Sequence, residues 1–135
     1  MPVPEQTPEG AVAFLEWWIA VLNYAELTGE TDVLRANSSP ECVFCNDRVS
    51  TISETYAVGD RFERLGDASL TEIQPSPVDL NSYVVVDALG SSPSSRKLNA
   101  AGDVVEVFPE IAPSPLVAGV QWRDGKWWMR GLATT

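Results

Sequence analysis

The two cysteines of the chain, Cys42 and Cys45, are separated by two apolar residues. Residues three apart in a helical turn have Cα atoms about 5 Å apart, which lies inside the range of a disulfide. A lone bridge of this kind is typical of an oxidising, extracytoplasmic compartment, although so small a loop adds only about 2 kcal/mol on a chain-entropy estimate. Two thiols are too few for a structural zinc site, which uses four nitrogen or sulfur ligands. Thiol-disulfide exchange remains an alternative, because a helix N-terminus lowers a thiol pKa.

Acid-base chemistry in this chain has to use carboxylates and phenols, because there is no histidine for a Ser-His-Asp or Cys-His arrangement. The candidate groups are Asp87, Glu72, Tyr24, Tyr56 and Tyr83. Asp87 is the strongest of them, since strand alternation places it on one face with Tyr83 and Val85. In an apolar cavity its carboxyl pKa would rise and it could act as a base, with a tyrosine as the proton donor. On a solvated outer face it would have no such role.

Aromatic side chains form a third set with possible binding chemistry. The candidates for a ligand pocket are Trp17, Trp18, Tyr24, Tyr56, Trp122 and Trp127. They could bind a small apolar ligand, or they could fill the core of a small α+β domain and leave no cavity. Trp128 lies on the opposite face of its strand from Trp127, so it is a candidate contact for a protein partner or for a homodimer through the sheet face.

Net charge excludes several classes of partner. Nine basic and nineteen acidic residues give a net charge of −10, which repels phosphate backbones and anionic lipid headgroups. We therefore expect no nucleic-acid partner and no direct membrane binding. The chain has no glycine-rich phosphate loop and no D-x-D-x-D-G calcium spacing, so we expect no cofactor and no metal.

The element that must position these groups is a long apolar helix near the N-terminus. Thr7-Pro8-Glu9 is a strong helix start, with a hydroxyl cap, a proline at the first helical position and an acid in the first turn. The helix should run to Thr28 and stop at Gly29. Its apolar arc is wide, which implies contacts on more than one side, and only Glu16, Asn23 and Glu26 mark its solvent edge.

The rest of the chain is predicted to change from helices to strands. Residues 1–6 are expected to be a flexible leader before a single domain over residues 7–135. A short turn of helix, capped by Thr31-Asp32, should continue to about Ala36, and a third helix should run from about Glu41 to Val58. From Arg61 onward the pattern predicts five or six strands. This order is typical of an α+β fold in which helices pack on a strongly curved, mostly antiparallel sheet.

The last hairpin has the clearest signal, Asp124-Gly125 between two apolar strands. A two-residue loop there pairs Arg123 with Lys126, Trp122 with Trp127, Val120 with Met129, and Ala118 with Gly131. Further upstream, a turn at Ala101-Gly102 would pair Lys97 with Glu106 and Leu98 with Val105.

Three segments carry a resemblance to known proteins: the capped helix TPEGAVAFLEWW, the link LTGETDVLRANSSPEC and the ending WRDGKWWMRGL. The chain resembles the cystatin-like cone of the nuclear-transport-factor-2-like superfamily, which includes ketosteroid isomerase, scytalone dehydratase and SnoaL-type cyclases. More narrowly, it is similar to a family of actinobacterial lipoproteins of unknown function. The resemblance implies a cone-shaped fold and an upstream lipidated cysteine, which is not present in this sequence.

We therefore predict, as the leading hypothesis, an extracytoplasmic and non-catalytic domain that binds a protein partner or a small apolar ligand. Lipid anchoring to the outer face of the cytoplasmic membrane is implied by the resemblance alone. The alternative is a small isomerase, dehydratase or cyclase with Asp87 as base. A thiol-disulfide protein is a third hypothesis.

Overall fold

The computed structural model describes all residues from Met1 to Thr135, beginning with a short leader and helix α1 (Pro8–Thr28). The predicted cap is present, because Gly10 N donates a 3.0 Å hydrogen bond to Thr7 Oγ1. The helix ends at Gly29, whose φ of +82° is the left-handed conformation that glycine adopts without strain. Part of the leader contacts the domain: Trp127 Nε1 donates to Glu5 O at 2.8 Å, and Gln6 donates a hydrogen bond to Ser82.

Two further helices follow, α2 (Asp32–Ala36) and α3 (Val43–Ala57). The predicted start of α3 at Glu41 was two residues early, because Cys42 is the cap. Its sulfur accepts a 3.1 Å hydrogen bond from Cys45 N. No helix of the chain is long and apolar enough to cross a bilayer.

Seven strands complete the domain, whereas five or six were expected. They form two antiparallel sheets. They are β1 (Arg61–Arg64), β2 (Ser69–Pro75), β3 (Tyr83–Ser92), β4 (Ser95–Leu98), β5 (Val104–Phe108), β6 (Ile111–Arg123) and β7 (Lys126–Thr134). The four-stranded sheet has the order β2-β3-β6-β7, and the three-stranded sheet has the order β1-β4-β5.

The predicted strand pairs are partly confirmed. Trp122 pairs with Trp127 and Val120 with Met129, but a bulge between Val120 and Gly119 shifts the register, so Ala118 pairs with Leu132 instead of Gly131. In the β4-β5 hairpin, Lys97 faces Glu106 as predicted, whereas a second bulge pairs Leu98 with Val104 instead of Val105. A bulge adds one residue to one strand of a pair, and local sequence alternation does not reveal it.

The core lies between α1, α3 and the face of the four-stranded sheet that is turned toward them. Trp18 and Trp127 are its largest fully buried side chains, and both are inside one continuous apolar cluster. Strand β3 alternates as an amphipathic strand should, with Val84 and Val86 buried and Val85 exposed. The space between the helices and the four-stranded sheet is therefore filled by side chains.

Candidate functional site

A cleft of about 460 Å³ lies between helices α1 and α3 and the inner face of the three-stranded sheet. Its walls combine charged side chains with aromatic ones. The lining residues are Leu22, Glu26, Phe44, Arg48, Thr51, Phe62, Arg64, Ala68, Ser92, Pro93, Ser95, Lys97, Glu106, Phe108 and Ile111.

Regular spacing places these side chains on the cleft walls. On α1, Leu22 and Glu26 are one turn apart, and on α3 the residues Phe44, Arg48 and Thr51 follow the i, i+4, i+7 pattern of one helix face. Strands β1, β4 and β5 contribute alternate residues, as period-two strands must. The cleft is therefore built mainly from regular elements, and only Ala68 and Pro93 of its lining lie in connecting segments.

A cluster of charged groups occupies the helix side of the cleft, centred on the Glu26 carboxylate. Arg48 Nη2 donates to Glu26 Oε2 at 2.6 Å, and Arg64 Nη1 donates to Glu26 Oε1 at 3.1 Å. Each carboxylate oxygen is thus matched with one guanidinium. The Arg64 side chain is 7% exposed, whereas that of Arg48 is 24% exposed.

Asn23 completes this cluster. Its Oδ1 accepts hydrogen bonds from the Arg64 guanidinium and from Ala68 N, and its Nδ2 donates to Ala68 O at 3.0 Å. The prediction that Asn23 and Glu26 face solvent was wrong, because the three-stranded sheet and the start of β2 cover this side of α1. Asn23 is 6% exposed.

A second ion pair lies on the sheet side, where Lys97 Nζ and Glu106 Oε1 are 3.5 Å apart. The cleft thus has three basic residues (Arg48, Arg64 and Lys97) against two acidic ones (Glu26 and Glu106). The lining residues therefore carry a surplus of one positive charge, although the chain as a whole has a net charge of −10. Three of the nine basic residues of the chain line the cleft.

The remaining wall of the cleft is apolar. The rings of Phe62 and Phe108 meet with centroids 6.0 Å apart, and Phe62 also contacts the edge of Tyr56 at 6.3 Å. The Tyr56 hydroxyl donates to Glu26 O at 2.6 Å, which ties α3 to the end of α1. Tyr56, a predicted pocket residue, supports the cleft but does not line it.

The acid-base candidates lie away from the cleft. Asp87 is exposed on the outer face of the four-stranded sheet, since the buried positions of β3 are Val84, Val86 and Ala88. Tyr83 shares that outer face, and its hydroxyl lies directly over Gly119. Glu72 and Tyr24 are exposed.

Electrostatics also argues against Tyr83 as a proton donor. Burial, and secondarily the nearby Asp79 carboxylate, raise the pKa of Tyr83 above its ordinary 10.0. A raised pKa makes the phenol a poorer acid near neutral pH. The predicted arrangement of Asp87 as base with a tyrosine donor in an apolar cavity is therefore wrong in its geometry, because alternation turns Asp87 and the neighbouring candidate Tyr83 outward.

The predicted pocket tryptophans lie in or beside the core and not in the cleft. Trp18 is fully buried, with Nε1 donating to Ser38 Oγ at 3.1 Å. Trp17 is half-buried against Phe14, with ring centroids 6.0 Å apart. Trp122 packs edge-to-face on Trp127 at 5.3 Å, and the crevice beside Trp127 holds only about 10 Å³.

Trp128, the predicted partner contact, lies half-buried on the outer face of β7. Lys126 Nζ is 4.2 Å from its ring centroid and the Arg123 guanidinium carbon is 5.6 Å away, so two cations flank the indole. Burial lowers the pKa of Lys126, whose Nζ also donates to Asn37 Oδ1 at 2.8 Å. A partner contact at Trp128 stays a prediction.

Cys42 and Cys45 form the predicted disulfide, with Cα atoms 5.2 Å apart. Both residues are fully buried at the start of α3. Exchange requires a thiolate to reach a disulfide sulfur, so this burial favours a structural bridge. The disulfide fits a non-cytoplasmic compartment.

Sequence reasoning missed the charged cleft. A signal for it was present: Phe44, Arg48 and Thr51 form a second face on α3, beside the core face of Val49 and Ile52. The pairing of Lys97 with Glu106 was predicted, but nothing local shows which face of that hairpin turns toward the helices.

Helices packed against two antiparallel sheets, with a cleft between α1, α3 and the smaller sheet, define a cystatin-like α+β domain. The chain belongs to the family of unknown function DUF6318, which it matches over residues 2–133. The resemblance to a family of unknown function is thereby confirmed. A search of curated proteins finds no match.

Solved structures agree on the fold. The intermembrane space region of the chloroplast protein ARC6 is similar with a TM-score of 0.67 at 13% identity, covering 97% of this chain and 98% of that one. An uncharacterised protein with a cystatin-like fold from Caulobacter vibrioides has a TM-score of 0.56 at 14% identity, covering 94% and 89%. The Kfla4162 protein from Kribbella flavida has a TM-score of 0.57 at 10% identity, covering 92% and 86%. At these identities the likeness concerns the fold alone.

Proposed function

We propose that the protein is a non-catalytic binding domain that takes a small ligand with an apolar body in the cleft between α1, α3 and the three-stranded sheet. The observation that supports this most directly is the cleft itself, about 460 Å³ with three phenylalanine rings on its walls. Ligand sites in proteins are concave, mostly apolar and in the range of about 300–1,000 Å³.

Catalysis has less support, because no acid or base stands in the cleft without a partner. Glu26 is held by two arginines and Glu106 lies beside Lys97. Both carboxylate oxygens of Glu26 already accept a hydrogen bond from an arginine. The cleft is better suited to binding than to proton transfer.

The compartment and the anchor belong to the same proposal. The buried Cys42–Cys45 disulfide supports export, and the resemblance to actinobacterial lipoproteins supports a lipid anchor upstream of the domain. Labelling of the full-length protein with an alkyne fatty acid in its native host tests the anchor. Absence of label on an expressed, exported protein would refute it.

Binding of the neutral dye Nile red, followed by fluorescence, tests the cleft. Thr51 lines the cleft and Ser50 is exposed beside it on α3, so Thr51→Trp and Ser50→Trp are a matched pair. We expect Thr51→Trp to fill the space and reduce dye binding at least tenfold, and Ser50→Trp to leave it unchanged. Equal binding by both variants, with both folded by circular dichroism, would place the dye elsewhere and contradict the proposal.

A further inference from the structure

We infer that the ligand of this cleft is an amphipathic anion, with an apolar body on the phenylalanine wall and one negatively charged group on Arg48. This inference rests on the proposed function, because it names the class of molecule that the same cleft takes. It goes beyond that proposal by assigning the group that selects among apolar ligands.

The free hydrogen-bonding capacity of Arg48 is the first argument. Arg48 forms one side-chain hydrogen bond, through Nη2 to Glu26. Its Nε and Nη1 donors have no protein partner, and the side chain is 24% exposed in the cleft wall. A guanidinium offers five N–H donors in a planar fork that fits a carboxylate. Arg48 can therefore keep Glu26 and still bind an anion.

Arg64 and Asn23 complete the hydrogen bonds of this cluster, so the remaining donors of Arg48 are available to a ligand. The Glu26 carboxylate accepts from Arg64 as well as from Arg48, and Arg64 is held in turn by Asn23. Asp67 Oδ1, on a mostly exposed side chain, also lies 3.8 Å from Arg64 Nη2. Arg64 is thus engaged by Glu26, Asn23 and Asp67, whereas Arg48 is engaged by Glu26 alone. Arg64 itself is 7% exposed and so is not the group that meets a ligand.

Charge complementarity across the cleft is the second argument. Every charged lining side chain enters the balance: Arg48, Arg64 and Lys97 against Glu26 and Glu106. Among these lining residues the surplus is one positive charge, in a protein of net charge −10. Asp67, which lies outside the lining and 3.8 Å from Arg64 Nη2, is mostly exposed to solvent. Outside the cleft, that net charge disfavours anions in general.

The three phenylalanines supply the apolar half of the site. Phe62 and Phe108 come from the sheet side and Phe44 from α3. A molecule with one charge and an alkyl or aromatic body would contact these rings while its charged end reaches α3. A fully polar anion would leave this apolar surface exposed to water.

Competition against Nile red by three probes of equal chain length tests the assignment: octanoate, 1-octanol and octylammonium at pH 7. We expect octanoate to bind about tenfold more tightly than 1-octanol, as one charge-assisted hydrogen-bonded group would give. Octylammonium should bind most weakly. If 1-octanol binds as tightly as octanoate, the proposed function stands and this inference is overturned. If no probe and no dye binds, both are overturned.

Two substitutions of opposite sign sharpen the test. Arg48→Gln should weaken octanoate about tenfold and leave 1-octanol unchanged. Glu106→Gln removes a carboxylate and releases Lys97, so it should tighten octanoate about twofold to threefold. Glu54 is exposed on α3 and lies outside the cleft, so Glu54→Gln is the control and should change neither affinity.

If Arg48→Gln lowers the melting temperature so far that the variant does not fold, Lys97→Gln replaces it. We expect Lys97→Gln to weaken octanoate binding as well. An unchanged preference for octanoate in both would overturn the role of the cleft cations.

Discussion

The two sheets of this domain meet the helices in different ways. The four-stranded sheet packs against α1 and α3 through an unbroken apolar layer that includes Trp18, Trp127 and Val84. The three-stranded sheet contacts α1 mainly through β1, and the residues it turns inward include Arg64 and Lys97. One interface excludes water and the other leaves a cleft.

This difference separates stability from binding. Burial of apolar surface contributes about 25 cal/mol per Å², so the filled interface holds the fold together. The charged interface gains less, because desolvation of ions offsets much of their attraction. Substitutions in the cleft, which belongs to the second interface, can therefore alter ligand contacts without unfolding the core.

Removal of a core tryptophan should produce the largest effect. We expect Trp18→Ala to lower the free energy of unfolding by about 3–5 kcal/mol, as large aromatic truncations in cores do. Its indole has no exposed surface, and Ser38 keeps its hydrogen bond to Leu34 O, so the loss is a packing loss. Urea denaturation followed by circular dichroism measures it.

Phe108→Ala in the three-stranded sheet is the matched comparison. Phe108 is half-buried at the cleft. We expect its truncation to lower the free energy of unfolding by about 1 kcal/mol, because it removes less buried surface than Trp18→Ala does. Similar losses for both variants would mean that the two interfaces contribute equally to stability.

The charged cluster can be tested by neutralising its centre. We expect Glu26→Gln to lower the free energy of unfolding by about 3 kcal/mol, because breaking a buried ion pair leaves a charge uncompensated. The charge concerned is that of Arg64, whose side chain is 7% exposed. Its other carboxylate neighbour, Asp67 at 3.8 Å, is mostly exposed and compensates it only weakly. Equilibrium unfolding in urea is the measurement.

A double variant identifies the cause. In Glu26→Gln/Arg64→Met the unpaired guanidinium is gone, so part of the lost stability should return. A loss that grows additively in the double variant would show that Glu26 acts through packing and not through charge.

The disulfide has two separable contributions at the start of α3. Cys42→Ser/Cys45→Ala removes the bridge and should lower the free energy of unfolding by about 2 kcal/mol. In this variant the introduced hydroxyl can replace the Cys42 sulfur, which accepts a hydrogen bond from the backbone N of residue 45. Cys42→Ala/Cys45→Ala removes the cap as well and should cost about 1 kcal/mol more. Thermal unfolding under non-reducing conditions compares the two, and equal melting temperatures would rule out a capping role.

The sequence revealed those features that depend on neighbours in the chain. Thr7 and Gly29 bound α1 as predicted, and the Asp124-Gly125 turn joins β6 and β7 with its first pairs in the expected register. Cys42 and Cys45 are near each other because they are three positions apart in one turn.

Features that depend on distant segments were missed. Asn23 and Glu26 looked like the solvent edge of α1, because the residue that buries them, Arg64, lies about forty positions away and belongs to a strand of the second sheet. Alternation grouped Asp87 with Tyr83 correctly, yet which side of β3 faces the helices is decided by tertiary packing. The cleft is made of such distant contacts.

The smallest predicted effect concerns pH and the outer face of the four-stranded sheet. Burial first, and then Asp79, raise the pKa of Tyr83 above 10.0. The folded state therefore holds this proton more tightly than the unfolded state, so its contribution is complete below the unfolded pKa and is lost as pH rises through the folded value. Lys126 acts in the opposite direction, because burial lowers its pKa from 10.5 and so favours the folded state as pH rises.

Tyr83→Phe isolates the tyrosine from this opposing lysine. We expect the wild-type protein to lose unfolding free energy above about pH 10, and Tyr83→Phe to lose less over the same range. Urea denaturation between pH 8 and pH 11 gives both curves. Asp79→Asn keeps an oxygen for the backbone N–H groups of Asn81 and Tyr83 but removes the charge, so its curve should fall between the two. If Asp79→Asn follows the wild type throughout, burial alone explains the shift. A wild-type curve parallel to that of Tyr83→Phe would instead show that the phenol, although it lies over Gly119, is as free to ionise as in the unfolded chain.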